Sequence, residues 1–311
     1  MSDTTVYSGT SSEETTRANE MRVALLVEYC GRPFSGSQFQ PNRPTVQSTV
    51  QDALRQLNVK ASAVTFAGRT DAGVHALGQV AHFDAQRDAF KHIGRLDSAL
   101  NAVLPETVSV RSVHLDAGFD FHSRRDALCR WYRYTIYNGS ARSVWASRRG
   151  AAHYHKPLDA DLMQQAAQLI LGSHDFSSFK DSDTDVTNNV CDILYAQVFR
   201  DADFVVFDIV ADRFLYKMVR NLTGQLMAIG QTDNPLPPET ILDVLAKRDR
   251  RQAAATASPE GLALMAIRYK PPFHFFAQDP TVRQLETLIS SRITQTRMES
   301  PQNEKLFRKA S

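Results

Sequence analysis

Asp71 stands at the crest of the stretch Phe66–Phe83, FAGRTDAGVHALGQVAHF, with Arg69 two residues before it and Gly68 and Gly73 on either side. A single carboxylate on a small-residue loop, with a guanidinium nearby, is a chemically competent centre. Glycine lets backbone or ligand approach closely, and a turn anchored between two strands holds its side chain firmly. Asp-Ala-Gly is equally an ordinary turn, since Asp and Gly are common turn residues. These residues alone leave both readings open.

A second group able to do chemistry is the aromatic and basic run Arg130–Tyr137, RWYRYTIY, with Arg124 and Arg125 just before it. Rings interleaved with arginines suit stacking on unpaired bases while contacting phosphates. The same alternation also describes a strand that packs one face and solvates the other. Arg213, Lys217 and Arg220 recur at i, i+4, i+7, the spacing of one helix face, which by itself marks a solvated stripe.

Other arrangements fail on their spacing. Asp181, Asp183 and Asp185 open like a calcium loop, but Val186 stands where the sharp turn needs Gly and Asp192 where a bidentate Glu is usual. His153 and His155 would share one side of a strand, yet neither a C-x-x-C nor an H-E-x-x-H partner lies near. Gly68–Gly73 lacks the Lys-Ser/Thr of a phosphate loop, and no G-x-G-x-x-G opens a Rossmann turn. Neither a cofactor nor a metal is suggested.

The elements that must carry these residues follow from periodicity and breakers. Met21–Tyr29 reads as a largely buried strand, and Thr45 as the N-cap of a helix to about Leu57. Strands lead into and out of the Asp71 turn, at 63–66 and Gln79–Phe83. A helix over about Asp88–Val103 and a strand over Val108–Leu115 complete a β-α-β-β-α-β order, the split arrangement of a ferredoxin-like unit. Beyond a linker near Asp116–Phe121 a second α/β unit begins with Trp131–Tyr137. It continues with a helix capped by Asp159 and ended near Gly172, and then with paired strands at Asp192–Arg200 and Phe204–Val210. A helix from Asp212 or Arg213 to Ile229, another over about Pro238–Lys247, and a last strand at Leu262–Tyr269 close it. The spacing thus predicts an α+β chain. It has an N-terminal extension (1–20) expected to be disordered, a half carrying the Asp71 loop (21–117), a second half (118–275) and a polar C-terminal extension (276–311), weakly ordered beyond about Gln278.

Composition limits the classes further. At 311 residues, 42% hydrophobic and 23% charged, the chain reads as a soluble globular protein of one large or two ordinary domains. The net charge of +2 is far from a dedicated nucleic-acid binder's, so any RNA contact must come from a local concentration of Arg and Lys. Cys30, Cys129 and Cys191 lie far apart, as reduced thiols of a cytosolic protein do. No apolar run has the length of a membrane span, and the opening residues resemble neither a signal nor a transit peptide.

Taken together, the motifs resemble one family. GRTDAGVHALGQVAHF at Gly68–Phe83 closely resembles the signature of TruA-type tRNA pseudouridine synthases. RWYRYTIYN at Arg130–Asn138 and FLYKMVRNLTGQLMAIG at Phe214–Gly230 are also similar to it. So are QPNRPTVQSTVQDAL at Gln40–Leu54, HDFSSF at His174–Phe179 and GLALMAIRY at Gly261–Tyr269, all in the right order over about residues 21–272. The resemblance implies two ferredoxin-like halves whose sheets join around a central RNA-binding cleft. It implies a cytoplasmic homodimer, without cofactor or metal, that isomerises uridines at tRNA positions 38, 39 and 40 in the anticodon arm. Asp71 would then be the catalytic nucleophile, Arg220 the partner of its carboxylate, and Tyr132 a contact to the target base. Arg69 would fill or guard the space left by a flipped nucleotide, and Arg124, Arg130 and Lys217 would hold phosphates. A relative that kept the fold only to bind or chaperone RNA is the alternative.

Two departures stand out against the resemblance. Ser37 occupies the place of a common tryptophan in Gly36-Ser37-Gln38, and Asp126 stands where a serine is usual before Arg130. A carboxylate at position 126, near the expected phosphate contacts, is expected to weaken tRNA docking or alter its choice.

Overall fold

The computed structural model describes residues 19–181 and 188–299, with side chains as far as 291. Its first half comprises β1 (Glu20–Tyr29), α1 (Val46–Gln56), β2 (Thr65–Phe66), β3 (His75–Gln86), α2 (Leu96–Val103) and β4 (Val108–His114). β1 pairs antiparallel with β3 and with β4, and β2 pairs with β3 at Thr65↔His82 and Phe66↔Ala81. The spatial order β4-β1-β3-β2 is that of a ferredoxin-like unit, as the element order predicts. Val23 to Val27 are all fully buried. That explains why the first strand reads as a continuous apolar run instead of an alternating one. Thr45 and Ser48 form a reciprocal capping box at the start of α1.

The second half contains β5 (Ala127–Tyr137), α3 (Val144–Arg148), β6 (Ala152–His153), α4 (Ala160–Leu169), β7 (Gly172–Asp175), β8 (Val190–Asp201) and β9 (Phe204–Ala211). It continues with α5 (Met218–Ile229), α6 (Thr240–Lys247) and β10 (Leu262–Tyr269). Its frame, β5-α4-β8-β9-α5-β10, repeats the same topology with the strand order β10-β5-β9-β8. β10 then joins the halves. It runs parallel to β3 at Ala263↔His75 and Leu264↔Ala76, and antiparallel to β5 along its length. One continuous sheet results, and β10, the last strand among the described residues, sits at its centre between β3 and β5.

Three expected elements differ. The helix expected over 88–103 is broken into a short 3-10 turn at Arg87–Phe90 and α2, because Gly94 favours no helix and Arg95 is extended. Phe90 and Leu96 are both still buried, so the apolar spacing is real even though the helix between them is not. The helix expected from residue 212 begins only at Met218, because Lys217 takes a left-handed conformation (φ 59°, ψ 5°). The Asp212 carboxylate instead accepts from the amides of Asp192 and Arg213, at 2.9 and 2.7 Å. Arg213, Lys217 and Arg220 therefore do not share a helix face.

Where a weakly ordered polar tail was expected, the chain forms α7 (Pro280–Glu299). Asp279 accepts from the Thr281 amide with proline following it, the signature of a helix start. Val282 and Leu285 are buried, and Arg111–Asp279 (2.8 Å) and Arg268–Glu286 (2.9 Å) tie the segment to β4 and β10. Of the acidic run resembling a calcium loop, Asp183 and Asp185 lie outside the described residues.

Candidate active site

The loop between β2 and β3 is held at several points before it presents Asp71. The Gln79 side-chain amide donates to the Gly68 carbonyl (2.9 Å), and the hydroxyls of Tyr29 and Thr70 bond at 2.8 Å beneath the turn. The buried Ser37 accepts from the Thr70 amide (2.9 Å) through its hydroxyl and donates its own amide to the Thr70 carbonyl (3.0 Å). A side chain at Gly36 would come within 2.9 Å of that same carbonyl, and Gly36 has a φ of +110°. Glycine at position 36 thus permits the close approach, and serine at 37 uses it. Burial pushes the Tyr29 hydroxyl up to about 12, against the opposing hydrogen bonds from Thr70 and Gln79.

Asp71 Oδ2 accepts from Arg220 Nη1 at 2.7 Å, although 149 positions separate the two in sequence. Their side chains are 15% and 13% exposed, so the pair lies in a recess and not on the open surface. A charge-assisted bond in such a setting aims the carboxylate. Arg220 lies in the first turn of α5, and its Nε donates to the Ala257 carbonyl at 2.8 Å. One guanidinium edge is thus fixed to backbone, and another faces the acid.

β5 brings Arg130, Tyr132 and Tyr134 to one face of the sheet and Trp131 and Arg133 to the other. Trp131 and Arg133 bond the Asp208 carboxylate, and Tyr134 donates to the Ser258 carbonyl, so these three serve the core. Tyr132 is only 8% exposed. Its ring meets Phe214 edge-on at 5.1 Å, and its hydroxyl points toward Gly68. Burial, and then the neighbouring Tyr29, raise its pKa well above that of a free tyrosine, with Asp71 adding to the effect. Tyr132 is therefore a neutral O–H at physiological pH.

Sequence reading missed Tyr216. It is 45% exposed, and its hydroxyl faces Asp71; burial and then the charge of Asp71 raise its pKa. The Lys217 ammonium lies 5.1 Å from the Tyr216 ring centroid and is paired with Asp181, which raises the lysine's pKa. Lys217 is thus already engaged by a carboxylate. The only advance signal for Tyr216 was its place four residues before Arg220, and one aromatic there reads as helix core.

Arg69, Arg124 and Arg130 gather at the rim. Partial burial, and then the charges of Arg69 and Arg130, lower the pKa of Arg124. Arg130 spends its donors on the carbonyls of Asp212 (2.8 Å), Arg124 (3.0 Å) and Ala67 (3.5 Å). Among the described residues none of the three forms a salt bridge with a carboxylate. The Asp126 carboxylate accepts from the His122 amide (2.6 Å) and pairs with Lys270 (2.9 Å), so it is already neutralised beside the cluster. A separate cavity of about 430 Å³ is lined by Ser177, Asn189 and Arg248–Arg251 among others and contains neither Asp71 nor Arg220.

Two ferredoxin-like halves that share one sheet bring a paired carboxylate near a cluster of three arginines. Residues 25–125 and 166–270 match the family described as tRNA pseudouridine synthase. A tRNA pseudouridine synthase A of Shewanella baltica is 44% identical over 253 residues, covering 80% of this chain and 93% of that protein. The tRNA pseudouridine synthase A of Aeromonas hydrophila is 42% identical over 250 residues, 80% of this chain and 90% of its own length. A solved Cbf5-Nop10-Gar1 complex overlaps 86% of this chain and 59% of that one at 11% identity, with a TM-score of 0.33, too slight a likeness to build on. The chain belongs to the tRNA pseudouridine synthase family, whose members are isomerases acting on uridine in tRNA.

Proposed function

We propose that this protein isomerises uridine to pseudouridine in the anticodon arm of tRNA, at positions 38, 39 and 40, with Asp71 as the nucleophile. The observation that carries the reading is the Asp71–Arg220 pair at 2.7 Å, one member from each half of a chain that belongs to this family. In the reaction the bond from C1′ to N1 breaks, the base turns, and a bond from C1′ to C5 forms. The proton lost from C5 is balanced by one gained at N1, so no oxidant or co-substrate is needed. An ionised carboxylate serves whether it attacks C1′, adds at C6 or assists a glycal, and Arg220 supports its charge in each case.

The target base is stacked in RNA and must flip out at a cost of a few kcal/mol. Arg69, exposed and two residues from Asp71, is suited to the space vacated, and Tyr132 to touching the base with ring edge and hydroxyl. Arg124 and Arg130 suit the flanking phosphates. Lys217 fits that role less well, because Asp181 already holds it. Residues 21–117 would supply the acid, and residues 118–275 its guanidinium and tyrosine. Cytoplasmic work as a homodimer is part of the same proposal.

Tritium release from tRNA labelled at uridine C5 tests the reading. The wild type releases label, and Asp71→Ala abolishes release while still binding tRNA. Tight binding without release by the wild type would make the protein an RNA-binding or chaperoning relative instead.

A further inference from the structure

The stretch from Ala253 to Ala257 lies against one side of α5 and is tied to it residue by residue. The Ala254 amide donates to the Gln225 side-chain oxygen at 3.0 Å. A side chain at Gly224 would fall 2.0 Å from the Ala255 carbonyl oxygen, so only glycine allows the stretch to come this close. The Thr256 hydroxyl donates to Asn221 Oδ1 at 2.7 Å, and the Ala257 amide donates to the Arg220 carbonyl at 3.1 Å. The series ends where Arg220 Nε donates to the Ala257 carbonyl at 2.8 Å.

Arg250 secures the other side of the stretch. Its Nη1 donates to the carbonyls of Ala253 and Ala254 at 3.1 and 3.0 Å, and its Nη2 to Asn221 Oδ1 and Thr256 Oγ1 at 3.1 and 2.9 Å. Asn221, 1% exposed, is fixed in turn by donating to the Phe179 carbonyl at 2.8 Å. These bonds set the position of the Ala257 carbonyl from behind.

We infer that Arg250, Asn221 and Thr256 are positioning residues for Arg220: they fix the Ala257 carbonyl that turns the guanidinium toward Asp71. An arginine has four side-chain torsions and would otherwise sample several directions. Holding Nε on a rigid carbonyl leaves one edge free for the acid. This also accounts for the Arg220-Asn221-x-x-Gly224 spacing on α5, in which each named residue faces the stretch. The inference rests on the proposed reaction at Asp71.

The test measures kcat and KM for tritium release with Arg250→Met, Thr256→Val and Thr256→Ser, each beside a thermal melt. A displacement of the order of 1 Å at a reacting group costs up to about 100-fold in rate. Arg250→Met is expected to lower kcat about tenfold with KM within about twofold. Thr256→Val lowers kcat in the same direction, and Thr256→Ser, which keeps the hydroxyl, restores it. In an Arg220→Lys background no Nε exists to meet the Ala257 carbonyl, so adding Arg250→Met or Thr256→Val changes kcat less than about twofold. Should Arg250→Met not fold, Thr256→Val carries the same comparison, since Thr256 is exposed and its loss spares the core. Equal losses in both backgrounds, an unchanged kcat, or a rise in KM alone would overturn the assignment, the last by making these residues RNA contacts. Absence of release by the wild type would strike the proposed reaction itself and is told apart by that control.

Discussion

Ser37 and Thr70 exchange two hydrogen bonds, the Thr70 amide donating to the Ser37 hydroxyl at 2.9 Å and the Ser37 amide to the Thr70 carbonyl at 3.0 Å, and so fix the residue that precedes Asp71. The first of these needs a hydroxyl acceptor that a tryptophan could not supply. In this chain the departure from Gly-Trp-Gln therefore has a structural role in the loop that presents the acid.

Replacing Ser37 by alanine leaves the buried Thr70 amide without a partner, at a cost of about 1–3 kcal/mol. A chain of this size should lose roughly 2–4 °C in Tm for each kcal/mol. The rate of uridine isomerisation should fall several-fold, because the loop loses its hold on Asp71, while affinity for an anticodon stem-loop stays the same. Differential scanning calorimetry and tritium release on the same preparation check both parts. A stable variant at full rate would show that Tyr29 and Gln79 hold the loop without Ser37.

The arginines at the rim make a quantitative claim about salt. Each phosphate contact to a single strand adds about 0.7 to the slope of log affinity against log salt, and to a duplex about 0.9. Arg124→Ala should lower that slope by about one contact for a tRNA substrate, and Arg69→Ala, at the vacated base position and not at a phosphate, by less. Arg130→Ala should lower it too, and should also destabilise the protein, because its guanidinium ties the carbonyls of Asp212 and Arg124. Lys217→Ala should change the slope least, since Asp181 competes for its charge. Fluorescence anisotropy across a salt series distinguishes these cases.

The first ferredoxin-like half was legible because its apolar spacing and turn residues are local. The second reads from its own residues only as an α/β unit, and as ferredoxin-like through the resemblance, because the role of β10 depends on its insertion between β3 and β5, which no local pattern encodes. Asp71 was visible as a carboxylate on a tight turn, but its pairing with Arg220 joins residues 149 apart and entered only through resemblance. The late start of α5 was hidden because Phe214, Leu215 and Met218 continue the apolar spacing through a left-handed Lys217. The α7 helix was obscured by a polar composition, although Asp279, Pro280, Val282 and Leu285 already spelled a cap and a stripe. Tyr216 was missed because an aromatic at helical spacing reads as core, whereas here it precedes the helix.

Tyr216 separates ring from hydroxyl in a simple pair of variants. Its ring is open to solvent beside Asp71, with the Lys217 ammonium 5.1 Å from the ring centroid. If a nucleotide rests on that ring, Tyr216→Ala should lose about 1–3 kcal/mol of binding, a fivefold or greater rise in KM. Tyr216→Phe should keep KM within about twofold, since stacking needs only the π face. Equal rises in both variants would assign the contact to the hydroxyl, and no rise in either would remove Tyr216 from the RNA surface.

His82 gives a stability test that is independent of RNA. Burial, and then the charges of Arg22 and His122, push its pKa down to about 4, while its Nδ1 meets the Ser123 hydroxyl at 2.9 Å. A free histidine titrates near 6.5, so between those values the unfolded chain binds a proton that the folded chain refuses. Stability therefore rises with pH across this window, and it is lost as pH falls from about 6.5 toward 4. The shift corresponds to roughly 3 kcal/mol by pH 4, an order-of-magnitude figure. The buried ring of His75 and the partly buried rings of His114 and His122 shift in the same direction and steepen the same fall. His82→Asn, which cannot titrate, should be less stable than the wild type at pH 8 yet lose less Tm on acidification to pH 4.5. Parallel Tm-against-pH curves for the two proteins would place the acid sensitivity elsewhere, with His75 the next buried ring to substitute.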